Sequence, residues 1–443
     1  MKGFESYHRD VLEALKESDS ELYQLLQREY KRQQNTIQLV ASESQCSKAV
    51  LAALGSVVQN KTAEGFPGAR HHAGSAVIDD IETVAIQRAK DAFNAQYVNV
   101  QPHSGAGANH IVFAAVLDKG DKILSLALEQ GGHYSHGTEG SFAGKFLNVE
   151  NYSLNKTTFL LDYDAIAKLA AQVKPRLIIC GFSVYPRAID FARFRAIADA
   201  AGAYLLADIS HIFALVLAGA HQSPVNYAHF TTTSTYKAGG PRGGVILMGK
   251  DYDRSVTVGK ENMALWQCVQ RATFPGMQGT AQFNNIAAKA VFFKEVLSEQ
   301  YKARQFKVIE NAKTLAGHFL DMGYDVLTGG TDNHMFVINA ADFRDGLTGL
   351  TAEKCLEDCG IIVNMVRVPY ENEKGPGSGI RIGTPVVTKM GMGAEEMRVI
   401  AQLTDRALRS VHIVSGTEYD IADSVKNDIR QQAENLCSRF CMT

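Results

Sequence analysis

Three clusters of residues, in a fixed order along the chain, are equipped for chemistry. His103-Ser104-Gly105-Ala106-Gly107-Ala108-Asn109 follows an apolar run and opens a helical pattern. The free N–H groups and positive dipole end of a helix N-terminus suit a phosphate. The loop is neither a Walker loop nor a GxGxxG fingerprint, and alone it reads equally well as a plain strand-to-helix turn. Asp208 ends the apolar run Ala203-Tyr204-Leu205-Leu206-Ala207, with His211 three residues on. A carboxylate at the C-terminal end of a buried strand stands where α/β folds bind ligands. Taken singly, a helix N-cap is the simpler reading. Thr231-Thr232-Thr233-Ser234-Thr235-Tyr236-Lys237 is a β-prone run ending in a lysine, and Gly239-Gly240-Pro241-Arg242-Gly243-Gly244 follows at once. A lysine fixed at a strand end beside glycine backbone is a Schiff-base candidate, with a surface lysine as the plain alternative.

Together the three clusters say more than any one of them. A phosphate loop, a strand-end acid and a lysine 29 residues later is the order needed to hold pyridoxal 5′-phosphate. The loop takes the phosphate, Asp208 keeps the ring nitrogen protonated, and Lys237 forms the imine. His133, after Gly131-Gly132, is placed to stack on the ring, although a core histidine is the commoner reason for such a residue.

The elements that must position these residues follow from the hydrophobic pattern. Ser18-Asp19-Ser20-Glu21 has the spacing of a capping box before Leu22, Leu25 and Leu26, and Ser47 to Gln59 reads as a second helix. From Ala76 to Ala218 helices alternate with short apolar runs: Lys122–Leu126, Arg176–Cys180 and Ala203–Ala207, with a helix over Phe191–Ala201. That alternation predicts a parallel sheet covered on both faces. After Gln278, two long helical stretches, Ala281–Leu297 and Lys302–Met322, lead into the strand His334–Ile338. A helix near Ala352–Asp358, strands at Ile361–Val363 and Gly379–Ile382 and a last helix pair complete a smaller α+β unit. The expected division is a helical arm (1–45), a large cofactor-binding domain (46–279) and a small C-terminal domain (280–443).

Composition narrows the function classes. The chain has 443 residues, 46% hydrophobic and 21% charged, with 45 Lys+Arg against 47 Asp+Glu. A near-neutral balance supplies neither a basic face for nucleic acid nor a polybasic membrane anchor. No apolar run reaches the roughly 18 residues of a membrane span, and the polar start Met1-Lys2-Gly3-Phe4-Glu5 does not read as a secretory signal. The seven cysteines are an odd, scattered set, which argues against a disulfide framework and for the cytoplasm. Cys355 and Cys359 are spaced to face one way on a helix, but no His or Cys stands nearby at zinc spacing, so no metal is expected.

The chain also resembles a known family, serine hydroxymethyltransferase, a fold-type I pyridoxal-phosphate enzyme, from about Ile37 to Phe440. The resemblance rests on Leu39-Val40-Ala41-Ser42-Glu43, Ala63-Glu64-Gly65-Phe66-Pro67-Gly68 and Asn99-Val100-Gln101-Pro102-His103-Ser104-Gly105. It continues through Gly131-Gly132-His133, Gly240-Pro241-Arg242-Gly243-Gly244, Gly329-Gly330-Thr331-Asp332-Asn333-His334 and Ser378-Gly379-Ile380-Arg381-Ile382-Gly383-Thr384-Pro385. It implies a mostly parallel, seven-stranded large-domain sheet and a small α+β domain. Lys237 is then the cofactor lysine, Asp208 the ring-nitrogen partner and His133 the stacking residue. Ser183 and His211 touch the pyridoxal oxygen, and Ser104, Gly105, Ser234 and Gly279 fall at cofactor positions. Arg381 grips the substrate carboxylate with help from Ser42, near Thr62 and His72. Glu64 is the acid/base group and comes from a second copy, so the resemblance implies a homodimer with shared sites and leaves a tetramer open.

Departures from the family pattern matter as well. Thr62 stands for a tyrosine, His71-His72 for Tyr-Tyr, Tyr236 for a histidine, Ala106 for a serine, and Ala238-Gly239 for Thr-Leu-Arg. His71, Tyr134 and Val366 replace a Tyr, a Leu and an Asn at folate-contacting positions. The expected activity is cleavage or formation of the Cα–Cβ bond of a 3-hydroxy amino acid, as in serine–glycine exchange. The departures keep open whether tetrahydrofolate is used, against a folate-independent aldolase, a transaldolase or an α-methylserine-type transferase. A racemase or aminotransferase reaction on the same cofactor, and a non-catalytic paralogue, are the lesser alternatives.

Overall fold

The computed structural model describes residues 11–440 apart from 259, 344, 345 and 372–376; the first residues, Met1 to Glu5, and Cys441 lie outside them. Seven strands form the central sheet: β1 (Tyr97–Asn99), β2 (Lys122–Leu126), β3 (Asn148–Tyr152), β4 (Leu177–Cys180), β5 (Tyr204–Asp208), β6 (Phe230–Ser234) and β7 (Gly244–Met248). Their spatial order is β1-β7-β6-β5-β4-β2-β3. The pairs β3–β2, β2–β4, β4–β5 and β5–β6 are parallel, and β7 alone runs against its neighbours β6 and β1. The sheet is therefore mostly parallel, as expected, with one reversed strand.

The apolar runs are continuous because both faces are covered. Successive side chains enter opposite cores. Leu124, Ile178, Leu205 and Val245 pack on one side with the helices Ala76–Phe93 and Phe283–Glu295. Ile123, Leu177, Leu206 and Ile246 pack on the other with the helix Gly105–Val116. The shared strand direction collects the loops after β1, β2, β4, β5 and β6 at one edge of the sheet. Those loops carry Ser104, His133, Ser183, Ser210 and Lys237, and the reversed β7 brings Gly244 to the same edge. This is where open α/β sheets bind ligands.

A separate core holds the C-terminal part. β8 (Met335–Asn339), β9 (Asn364–Val366) and β10 (Gly379–Gly383) pair antiparallel in the order β8-β10-β9. The helices Gly349–Asp358, Ala394–Ser410 and Asp423–Ser438 cover them. Ile37 and Leu39 join this core, and Ile37–Gln38 pairs with Ile361–Ile362.

Local details differ from the sequence reading in three places. The helix Ser20–Asn35 is capped by Asp19, whose carboxylate accepts from Leu22 N at 2.9 Å. Ser18 instead ends the preceding helix, Val11–Ser18, and bonds back to Leu15 O. The stretch Ser47 to Gln59 breaks at Gly55 into the helix Lys48–Leu54 and a 3₁₀ turn, Val57–Asn60. Lys237 is not at the strand end: β6 stops at Ser234 and the lysine lies in a one-turn 3₁₀ helix, Tyr236–Ala238. Among the described residues, no helix is long and apolar enough to cross a membrane.

Candidate active site

The one-turn helix after β6 aims Lys237 back at the strand end, where its Nζ donates to Ser234 Oγ at 3.0 Å. A cavity of about 270 Å³ opens there, lined by Ser104, Gly105, His133, Ser183, Asp208, His211, Ser234 and Lys237. The three clusters picked out by residue type thus meet in one space.

At one end of the cavity Ser104 caps the helix Gly105–Val116, with its Oγ accepting from Gly107 N at 2.9 Å. A Cβ on Gly105 would come within 3.1 Å of Ser234 Cβ and 3.2 Å of Ser210 Oγ. A side chain here would crowd Ser234 and Ser210, and glycine leaves the loop backbone uncovered. A helix N-terminus, hydroxyls and open backbone form a donor set that fits a phosphate monoester.

Asp208, at the end of β5, is buried, and both its oxygens are engaged. Oδ2 accepts from Asn109 Nδ2 at 2.8 Å and lies 3.0 Å from His136 Nε2. Oδ1 accepts from Ser210 N at 3.0 Å and from Ser210 Oγ at 2.6 Å. Burial alone pushes this carboxyl up, but hydrogen bonds and charge from His136, His133 and Asn109 hold it well below the usual range. The next regular helix begins only at Phe213, with Ile212 at its N-cap position, so the N-cap reading of Asp208 fails. A permanently ionised carboxylate in this cavity fits a ring nitrogen that must stay protonated.

His133 lines the same cavity, its Nδ1 2.8 Å from Ser135 Oγ. Burial lowers its pKa to about 4 against the opposing pull of Asp208, which leaves a neutral ring. His211 is held neutral too: burial and the charges of Lys237 and Arg381 push it well below the ordinary histidine range.

A second cavity of about 500 Å³ shares His133, Ser183, His211, Tyr236 and Lys237 with the first, and adds Ser42, Tyr134, Asn364, Val366 and Arg381. Arg381, on β10, is only 6% exposed. Its Nη1 donates to Ser183 O at 2.7 Å and its Nη2 to Asn364 Oδ1 at 2.6 Å, while Nε has no partner among the described residues. Desolvation lowers its pKa to about 10, partly opposed by Tyr236, so it remains a cation at neutral pH. A buried guanidinium on a cavity wall, with no carboxylate paired to it among the described residues, is suited to receive an anionic group. Tyr236 is covered by the Arg242 guanidinium 4.0 Å from its ring centroid and by Lys237 Nζ at 4.7 Å.

Four candidates lie elsewhere. Glu64, Thr62, His72 and Gly279 line neither cavity. Glu64 N donates to His72 Nδ1 at 3.3 Å, and a Cβ on Gly279 would meet Glu64 Oε1 at 3.5 Å. Thr280 Oγ1 holds Ala63 through both its N–H and its C=O. Arg70, paired with Asp79 and Glu82, also donates to Gly65 O, so the loop is anchored on both sides of Glu64. The structure thus gathers the residues into two groups within one chain.

Sequence reasoning missed the partners that set the site's charges: His136 and Ser210 on Asp208, and Asn364 on Arg381. Asn109 stood in the quoted loop without a role. Its one signal was a polar residue on the buried side of a helix.

The family model described as serine hydroxymethyltransferase matches residues 15–404. A serine hydroxymethyltransferase from Methanosarcina barkeri (strain Fusaro / DSM 804) is 43% identical over 429 residues, covering 96% of this chain and 98% of that protein. The chain belongs to the serine hydroxymethyltransferase family.

Proposed function

We propose that the chain interconverts serine and glycine by reversible cleavage of the Cα–Cβ bond, with pyridoxal 5′-phosphate as cofactor and tetrahydrofolate as one-carbon carrier. The observation that carries this reading is the continuity of the two cavities. Asp208 faces one compartment and Arg381 the next, and Lys237, His133, Ser183, His211 and Tyr236 line both. Bound in the inner compartment, pyridoxal phosphate supplies the electron sink for the pair left at Cα.

The protein's part is binding, orientation and proton control. Ser104, Gly105 and Ser234 hold the phosphate end. Asp208 keeps a proton on the ring nitrogen. Neutral His133 covers a ring face, and Ser183 and His211 meet the pyridoxal oxygen. Arg381, with Ser42, fixes the substrate carboxylate and so selects which Cα bond is aligned with the ring system. Lys237 is the attachment point.

Glu64 is the acid/base group, and its absence from the lining of both cavities supports a homodimer. In it Glu64, Thr62, His72 and Gly279 of one copy complete the site of the other. Among the described residues six cysteines are free, five of them buried, which suits a reducing compartment such as the cytosol. The family match over nearly the full length supports serine–glycine exchange over a folate-independent aldolase, transaldolase or α-methylserine-type reaction. It speaks likewise against a racemase, an aminotransferase or a non-catalytic paralogue.

The test has two parts. Borohydride reduction of the cofactor-loaded protein followed by peptide mapping should place the pyridoxyl group on Lys237; a label on another lysine overturns the site. Incubation with L-serine, L-threonine, L-allo-threonine, α-methylserine and alanine, with and without tetrahydrofolate, should give fastest turnover of serine with the carrier present. Serine turnover indifferent to the carrier would overturn the folate-linked reading.

A further inference from the structure

Lys289 lies in the helix Phe283–Glu295 and is 1% exposed. It shares the apolar face with Ile286, Ala290 and Phe293, where a lysine has no solvent to reach. Its Nζ donates to three backbone carbonyls: Val100 O at 2.5 Å, Gly244 O at 2.8 Å and Pro102 O at 3.2 Å. Pro102 O also accepts from Gly244 N at 2.8 Å. These carbonyls belong to the two segments that build the phosphate end of the inner cavity. Val100 and Pro102 lead directly into His103-Ser104-Gly105, and Gly244 follows Arg242-Gly243, which line the cavity wall. The contact is tight. A Cβ on Gly243 would fall 2.5 Å from Lys289 Cε and 2.8 Å from Nζ, and one on Gly244 would fall 2.2 Å from Ser104 O.

We propose that Lys289 is a positioning residue for the phosphate cradle. It ties the entry to the Ser104–Gly105 loop to the start of β7 and places a buried cation beside that loop without touching the ligand. The inference rests on the reading above, that this end of the cavity receives a phosphate monoester.

Two further observations support it. Burial first, and then the charge of Lys289, lower the pKa of His103 on the cavity wall. Burial in turn pushes Lys289 down to about 7, against the field of Glu82, so a bound dianion would favour its charged form. Glu82 receives Gln101 Nε2 at 2.8 Å and pairs with Arg70, which places the carboxylate beside the same segment.

The experiment titrates pyridoxal 5′-phosphate and pyridoxal, which lacks the phosphate, into cofactor-free wild type, K289M and E82Q. K289M should weaken pyridoxal phosphate by about tenfold or more and pyridoxal by less than about threefold. Equal losses for both ligands would mean a merely structural role and overturn the proposal, as would no loss for either. If wild type shows no preference for the phosphorylated ligand, it is the reading of the cavity that fails. Should K289M not fold, E82Q decides. It keeps the side-chain shape but removes the charge that helps keep Lys289 protonated, so it should reduce the preference for the phosphate ester in the same direction. An unchanged preference in E82Q overturns the proposal.

Discussion

His136 Nε2 lies 3.0 Å from Oδ2 of Asp208, the oxygen that also accepts from Asn109 Nδ2. The carboxylate is thereby fixed in rotation and held ionised inside the protein. Asp208→Asn keeps the shape and removes the charge. It should lower kcat by roughly a hundredfold or more, with a smaller effect on KM. A variant with near-normal kcat would show that the ring nitrogen does not depend on this carboxylate.

Arg381 is braced at two points, Ser183 O and Asn364 Oδ1. Arg381→Lys replaces a planar fork by a point charge and should chiefly raise KM for the amino acid. Asn364→Ala leaves the arginine but frees one end, and the loss of a charge-assisted hydrogen bond worth about 1.5–3 kcal/mol should raise KM by about tenfold or more. Steady-state kinetics with serine check both. If Asn364→Ala changes kcat and leaves KM alone, Asn364 does not act through Arg381.

The two residue groups within one chain make a complementation experiment informative. Lys237→Ala and Glu64→Ala should each be inactive alone. Unfolded together and refolded as a mixture, they should regain activity, because a mixed dimer contains one site with both residues intact. A mixture as inactive as its parents would place Glu64 and Lys237 in the same chain's site.

Burial holds several histidines neutral: His133 and His229 at about 4, His334 at about 3, and His211 well below the ordinary value. The unfolded chain titrates near 6.5, so between pH 6.5 and about 4 the unfolded state binds more protons than the folded one. Stability therefore falls as pH falls through that window, by about 1 kcal/mol per such ring between pH 7.5 and 5.5. Lys289, lowered to about 7, extends the same slope above neutrality. Glu82 and Asp325, raised by burial, act in the opposite sense toward acid pH. The thermal midpoint should drop clearly from pH 7.5 to 5.5; an unchanged midpoint means the rings are not held neutral.

What was legible in the sequence had local causes. Lys122–Leu126 and Phe191–Ala201 fall where the pattern places them, because an apolar run between polar ends reports its own length. Direction is not local, so the reversal of β7 left no trace in Gly244–Met248. Capping is a competition: Asp19 took the position for which Ser18 and Glu21 had the spacing. The helix Phe283–Glu295 announced a buried stripe but not its partner, and it packs against Ala76–Phe93 in the large-sheet core. Lys237, Asp208 and the glycine loop were readable because their chemistry resides in residue type. His136, Ser210 and Asn364 were not, because their roles exist only once distant segments meet.

Tyr134 and Val366 line the outer cavity with Arg381, whereas His71 lies against Phe274, ring centroids 5.3 Å apart, on another cavity of the chain. Two of the three departures at folate-contacting positions therefore share a wall next to the substrate site. Val366 offers a pteridine no hydrogen bond, and a buried polar group left unpaired costs about 1–3 kcal/mol. Folate binding should accordingly be weaker than an asparagine at this position would permit. Val366→Asn should tighten a reduced folate by about tenfold in calorimetric titrations with glycine present, with no effect on glycine binding alone. Glycine is the internal control, since on the proposed reading its carboxylate meets Arg381 and it is too small to depend on residue 366. Equal folate affinity in both proteins would mean the carrier is held by contacts other than residue 366. Weaker binding in Val366→Asn would mean the apolar wall is itself the better fit, and would point to a carrier, or an aldehyde acceptor, less polar at that face than a pteridine.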